Sequence, residues 1–325
     1  MVVVQTVLGP ISPEELGITL THEHVVSRFN PKLETRQLDY AIRELKKARM
    51  FGASTLVEVS PPNMHLGKND GRNIPVLQEV SRKSGVNIIC STGYYEIPPA
   101  IKNISLEEIA ESMVNELTQG ANGTNIRPGV IKIAANYVPL QPLEEKIFVA
   151  AGMAQAQTGA PICCHTETGL CEQLEALLKG GANPDHCYFS HVEVEWGWEG
   201  RSLEEEAKYL LDIVQTGASL CINDFGFTQD LHYGGENDLA YLIKFMIDNS
   251  AENKVLISMD CVYEIHDDGY VEFGGESVNP EVCKRNYAFL FTHTIPMLVE
   301  NGIDNKSIHT ILVDNTKRIL TPFKS

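Results

Sequence analysis

The chain has 325 residues, enough for two average domains or one large α/β barrel. Its 26 Lys and Arg against 43 Asp and Glu leave a net charge of −17, which argues against nucleic acid and anionic membrane surfaces as partners. No apolar run approaches the roughly 20 residues of a membrane span.

Strand-like and helix-like runs alternate along the chain. Strands are predicted near 17–24, 54–60, 86–92, 128–134, 161–165, 187–191, 218–223 and 254–260. After the first, Leu38, Ala41, Ile42, Leu45 and Ala48 fall at helical spacing and predict a helix over 38–50. Ser105 and Glu108 read as a capping box opening a helix that runs to about residue 118. Further helices are predicted over 142–157, 170–179, 202–215 and 238–247, and a last long one over 280–301, before Gly302. The segments 61–72, 192–201, 225–237 and 261–278 read as long loops after strands. Eight strands alternating with helices predict an α/β fold with a parallel sheet, most economically a closed (β/α)8 TIM barrel; a doubly wound open sheet is the alternative. No linker, repeat or low-complexity tract interrupts residues 1–325, so a single domain is expected.

The chemistry-bearing residues sit at strand ends. In Ile18-Thr19-Leu20-Thr21-His22-Glu23-His24, two histidines are two residues apart, so on a strand both project from one face. Imidazole favours zinc and neighbouring transition metals. Pro161-Ile162-Cys163-Cys164-His165 and Cys187-Tyr188-Phe189-Ser190-His191 each close on a histidine. Lys254-Val255-Leu256-Ile257-Ser258-Met259-Asp260 closes on a carboxylate. In a barrel these ends lie at one mouth, where active sites are built.

Lys132 stands apart, a cation inside Val130-Ile131-Lys132-Ile133-Ala134-Ala135. A buried lysine is driven towards the neutral, nucleophilic amine. It can form a Schiff base, pair with a buried acid, or take up carbon dioxide as a carbamate whose two oxygens bridge two metals. The four histidines and the aspartate favour the carbamate, because they offer ligands for more than one ion.

The opening Met1-Val2-Val3-Val4-Gln5-Thr6 lacks the basic region and long apolar core of a signal peptide. Cys90, Cys163, Cys164, Cys187 and Cys221 lie in apolar strands, and adjacent Cys163 and Cys164 would face opposite sides. Reduced core thiols and a cytoplasmic location are expected. No CxxC pair suggests a structural zinc site. His186, His232, His266, His293 and His309 have no motif context and read as surface or core residues.

Taken together, the chain resembles the phosphotriesterase family of the amidohydrolase superfamily, especially its phosphotriesterase-like lactonases. The resemblance rests on Gln5-Thr6-Val7-Leu8-Gly9-Pro10, Leu16 to His24, Gly71-Arg72, Ser91-Thr92-Gly93-Tyr94-Tyr95 and Gly129 to Ala134. It continues through Pro161 to His165, Ser190-His191, Asp260, Thr294-Ile295-Pro296-Met297-Leu298 and Asn301-Gly302. It implies the same barrel. It also implies that His22, His24 and Asp260 hold a more buried metal, His165 and His191 a more exposed one, and carboxylated Lys132 bridges them. Tyr95 matches a tyrosine near the metals and the substrate carbonyl.

Two divalent ions are therefore expected, zinc first, with Co2+, Mn2+ or Fe2+ as alternatives, and a carbamate on Lys132 from CO2. Such ions activate water at neutral pH. Asp260 would take its proton, and Tyr95 would place the substrate. The resemblance points to a small-molecule substrate and allows a homodimer.

Departures from the family pattern touch the substrate side. Asn223-Asp224-Phe225 stands where lactonases commonly carry Asp-Arg, so a pocket arginine is missing. Met259 precedes Asp260 where histidine or asparagine is usual, and Asn315-Thr316 replaces Asn-Pro. The segment Glu264-Ile265-His266-Asp267-Asp268 is acidic where phosphorylated-lactone hydrolases are basic. Trp196 and Trp198 line the pocket or cover the barrel rim.

Three functions compete: hydrolysis of a lactone or carboxylic ester with promiscuous phosphotriesterase activity, and amide hydrolysis as its variant; Schiff-base chemistry on Lys132; and a non-catalytic barrel stabilised by metal. The acidic segment and the aromatic loop favour an uncharged or cationic substrate.

Overall fold

The computed structural model describes residues 2–25, 34–62, 64, 71–135, 138–226, 235–265, 271–273 and 285–324. Eight strands form one sheet in chain order: β1 (Ile18–Glu23), β2 (Ala53–Glu58), β3 (Asn87–Tyr94), β4 (Val130–Ala135), β5 (Ile162–Thr166), β6 (Cys187–Ser190), β7 (Ser219–Ile222) and β8 (Val255–Ile257). Each pairs in parallel with the next. β8 and β1 share no ladder. The barrel is drawn nearly shut there by Asp260 N–H donating to the His22 carbonyl at 3.1 Å and His22 N–H donating to Ser258 Oγ at 2.9 Å.

Helices α1 (Glu34–Met50), α2 (Ile74–Ser84), α3 (Leu106–Gln119), α4 (Pro142–Thr158), α5 (Leu170–Lys179), α6 (Val192–Glu199), α7 (Leu203–Gln215) and α8 (Glu236–Asp248) lie between the strands. This is the predicted (β/α)8 architecture in a single barrel. Several helix starts follow from local chemistry. Ser105 Oγ accepts the Glu108 amide while Glu108 accepts the Ser105 amide, and Ser202 with Glu205 repeats the box at α7. Such caps stabilise a helix by about 1 kcal/mol.

Val57, Ile89, Val130, Cys163, Tyr188, Cys221 and Leu256, one from each of seven strands, fill the barrel interior. Tyr188 crosses it, its hydroxyl donating to the Thr21 carbonyl at 2.9 Å. Leu16, Ile319 and Leu320 pack beneath them as a floor. Cys164 instead joins the outer core under the helices, so the adjacent thiols do face opposite ways. Every described cysteine is a free thiol.

Five features depart from the expected layout. A short antiparallel hairpin, Val4–Thr6 with Gly9–Ile11, precedes the barrel. α2 fills the connection before β3, started by Asn73, whose side chain accepts the Val76 amide. The predicted loop 192–201 is mostly helix α6, entered from His191 in a left-handed conformation with φ +64°. Beyond 301 the backbone is helical again, Asn305–His309 through Thr310–Asp314 to Asn315–Leu320, with Asp304 capping its start. The helix predicted over 280–301 begins only at Leu290; residues 280–284 lie outside the described residues. No helix among the described residues is long and apolar enough to cross a membrane.

One glycine shapes the interior. Gly93 has φ +113°, and a Cβ there would stand 2.1 Å from the Lys132 carbonyl oxygen. Only glycine lets β3 approach β4 so closely at that level.

Candidate metal centre

All six candidate ligands meet at the C-terminal mouth of the barrel, at different depths. His22 lies within β1 and His24 just past it; Lys132 is the third residue of β4; His165 lies within β5. His191 follows β6 by one residue, and Asp260 follows β8 by three, so neither is the last strand residue as expected. Both have left-handed backbones, φ +64° and +42°.

His22, His24 and Asp260 each offer one ligand atom, and these atoms lie within 4.8 Å of one another. Asp260 Oδ1 is 3.5 Å from His22 Nε2 and 3.2 Å from His24 Nε2, and Oδ2 is 3.7 Å from His191 Nε2. Lys132 Nζ is fully buried, 3.4 Å from His22 Nε2 and 3.7 Å from Cys163 Sγ. Among the described residues it has no carboxylate partner. The His191 ring packs edge-on against both His22 and His165, with centroids 4.9 and 4.6 Å apart. The Tyr95 hydroxyl, one residue past β3, is 3.5 Å from His165 Nε2.

Burial and charge act in opposition here. Burial, reinforced by the Lys132 charge, holds His22 well below the ordinary imidazole range. Burial likewise pushes His165 down to about 4. Both rings are therefore neutral with a lone pair free for a metal. Burial opposes ionisation of Asp260, but the imidazoles facing it, His24 foremost, outweigh it, and its carboxyl sits well below the usual range. Burial would lower His191 too, yet Asp224 and Asp260 carry it above its ordinary value. Burial raises the Tyr95 phenol, so it is a neutral hydroxyl.

Residues that the motifs do not reveal stand behind the ligands. His24 Nδ1 is 2.7 Å from Ser60 Oγ, which donates to Glu58 Oε1 at 2.5 Å. His191 Nδ1 faces Asp224 Oδ1 at 3.5 Å. Buried Glu193 accepts the Asn223 and Asp224 amides at 2.5 and 2.7 Å, and burial beside Asp224 pushes its carboxyl up to about 8. The signal for them was an acid at a buried strand or helix end, which by itself reads as loop polarity. Arg285 is equally buried and donates to the Asn223 and Met259 carbonyls, so it supports the β7 and β8 ends.

The remaining candidates are not brought to the cluster. Trp196 is buried in the core and donates its indole N–H to the Arg201 carbonyl at 2.7 Å, so it covers the barrel side. His186 packs on Phe323 and His293 pairs with Glu236. His232, His266 and residues 267–268, with the side chains of Trp198 and Glu264, lie outside the described residues. A cavity of about 440 Å³ lined by Val3, Gln5, Leu117, Arg127, Gly129 and Lys324 is at the opposite, N-terminal end of the barrel and contains none of the candidate ligands.

A (β/α)8 barrel with a mouth of histidines and a carboxylate defines a metal-hydrolase class of architecture. The chain belongs to the phosphotriesterase family, whose sequence model, described as "Phosphotriesterase family", matches residues 2–320. It is 29% identical to the phospho-furanose lactonase of Mycoplasmopsis synoviae (strain 53), over 97% of this chain and 91% of that one. It is 26% identical to the N-acetyltaurine hydrolase of Xenopus tropicalis, over 98% and 97% of the two chains. In three dimensions it is similar to an amidohydrolase from Mycoplasma synoviae, with a TM-score of 0.79 and 27% identity over 100% of this chain and 93% of that one. Family and fold make it a hydrolase.

Proposed function

We propose that the protein is a two-metal hydrolase of lactones or carboxylic esters, with weak phosphotriester cleavage as a side activity. The observation that carries this reading is the buried His22, His24 and Asp260 cluster together with its unsatisfied atoms. Asp260 Oδ1 and His191 Nε2 are buried with no hydrogen-bond partner. Orphaned polar atoms of this kind cost about 1–3 kcal/mol each unless something binds them. The neutral His22 and His165 imidazoles beside an ionised carboxylate fit a divalent cation such as zinc. His22, His24 and Asp260 would hold one ion, and His165 and His191 the other. Lys132, buried with no acid partner among the described residues, fits conversion to a carbamate that would help hold the ions.

Divalent ions held there would supply Lewis acidity toward the acyl oxygen and lower the pKa of water from about 15.7 to about 7. The chain's own groups do the rest. Asp260, ionised, accepts the proton of the attacking water and delivers it to the leaving oxygen. The Tyr95 hydroxyl stays protonated and donates to the substrate's acyl oxygen or orients the ring. The Ser60 and Glu58 pair fixes the His24 ring, and Asp224 fixes that of His191.

At the described rim, Asp224 and Glu167 are acidic and Arg285 is engaged by backbone carbonyls. These residues favour an uncharged or cationic substrate over a phosphorylated one. Amide hydrolysis is the second reading, favoured by the N-acetyltaurine hydrolase relative, because the same attack serves an amide.

Metal-reconstituted protein screened against lactones, esters, amides and phosphotriesters tests the reading by relative kcat/KM. Lactones or esters should lead. Metal-independent turnover, or borohydride trapping of a carbonyl substrate on Lys132, would instead support Schiff-base chemistry. Metal-raised stability without turnover of any compound would leave a non-catalytic barrel. A small-molecule substrate, a cytoplasmic setting and a homodimer complete the proposal.

A further inference from the structure

Glu23 lies between the two histidines of β1, and its carboxylate is turned to the end of β8. Its side chain is fully buried, and no cation pairs with it among the described residues. Oε1 accepts the Ser258 hydroxyl at 2.6 Å and the Met259 amide at 2.8 Å; Oε2 accepts the Cys261 amide at 2.7 Å. His22 N–H donates to Ser258 Oγ, so the serine hydrogen is the one directed at Glu23. All three bonds run into the carboxylate.

Asp260 stands between the two amides so held. Its φ of +42° is left-handed, uncommon outside glycine although aspartate adopts it more readily than most L residues. Its own amide donates to the His22 carbonyl at 3.1 Å. β8 and β1 share no ladder, and among the described residues these side-chain and backbone bonds tie the last strand to the first.

We propose that Glu23 is a positioning residue: its carboxylate clasps the Met259–Cys261 backbone, aims Asp260 at His22 and His24, and closes the barrel seam. The proposal rests on the reading above only in taking Asp260 as a metal ligand. Without the clasp two buried amides lose their acceptor and the Asp260 backbone is free to relax towards the right-handed region.

The test uses the full chain as wild type, Glu23→Gln and Ser258→Ala. Amide hydrogen exchange is followed in metal-free protein, with β5 as the internal control. Co2+ titration then gives affinity and the ligand-field absorption band. In Glu23→Gln, exchange at Met259 and Cys261 should accelerate at least about tenfold with β5 unchanged. Co2+ affinity should fall about 10–100-fold, with an altered band. Ser258→Ala, which removes one of the three bonds, should move both readouts less in the same direction, and it carries the test where Glu23→Gln fails to fold. Wild-type exchange rates at Met259 and Cys261 overturn the proposal, and so does faster exchange with unchanged affinity and band, which marks a merely structural buttress. Wild-type protein that takes up no Co2+ sinks the two-metal reading instead; the exchange rates then still decide the clasp.

Discussion

The two halves of the candidate centre are built differently. Around His22, His24 and Asp260 the supporting bonds run from 2.5 Å between Ser60 and Glu58 to 3.1 Å from the Asp260 amide to the His22 carbonyl, and most come from fully buried groups. Around His165 and His191 the contacts are 3.3 Å to Glu167 and 3.5 Å to Asp224 and Tyr95, and Glu167 is half exposed. The first half is preorganised by strands and buried carboxylates. The second is looser, and on our reading it tightens only once Lys132 supplies its bridge. Preorganised donors hold a ligand geometry without reorganisation cost, whereas looser ones adapt.

The largest expected effect breaks the bridge between the halves. Lys132→Ala should lower kcat/KM by at least about 10³-fold and reduce bound metal, with partial rescue by short carboxylic acids that occupy the carbamate's place. A full metal complement in that variant, by elemental analysis, removes Lys132 from the bridge. Asp260→Asn should cut kcat by roughly 10²–10³-fold while circular dichroism and melting stay near wild type; near-normal turnover excludes Asp260 from proton transfer. Chelation should lower stability by about 2.7 kcal/mol relative to protein with metal at 100 times its Kd, read from denaturant midpoints. No shift would mean that the tighter half is complete without an ion.

Smaller effects compare the halves directly. Asp224→Asn should weaken metal binding about tenfold, and competition titration should show the loss confined to the weaker of two sites. An equal loss at both sites would erase the distinction. Tyr95→Phe should lower kcat only a few-fold if the hydroxyl merely orients substrate; a drop near 10²-fold gives it a part in charge stabilisation.

Much of the fold was legible because its signals are local. Runs such as Val130–Ala135 and Cys187–Ser190 are apolar and short, and the helix over Leu170–Lys179 ends where its periodicity does. Less visible was anything decided by tertiary contact. The Val192–Glu199 helix holds Gly197 and two tryptophans and reads as a loop, yet Glu193 accepts the β7-end amides from its first turn and so anchors it. The strand-like run through Asp260 hides a ladder that stops at Ile257, because left-handed backbone at a non-glycine residue leaves no mark in composition. The candidate ligands could be picked out from strand ends, but Glu23, Glu58 and Ser60 could not. A carboxylate flanked by two histidines in an apolar strand was the one available hint for Glu23.

The floor of the barrel has a consequence for biogenesis. Ile319 and Leu320 lie against Leu16, Val57 and Leu256 under the interior. During synthesis, these plugging residues emerge after all eight strands, long after His22 and His24 have left the ribosome. Until they dock, water reaches the underside of the sheet, and the first and last strands have little to pack upon. Contacts this distant along the chain are slow to form. Nascent protein should therefore acquire a dry interior, and with it a competent mouth, only after Ile319 and Leu320 have docked.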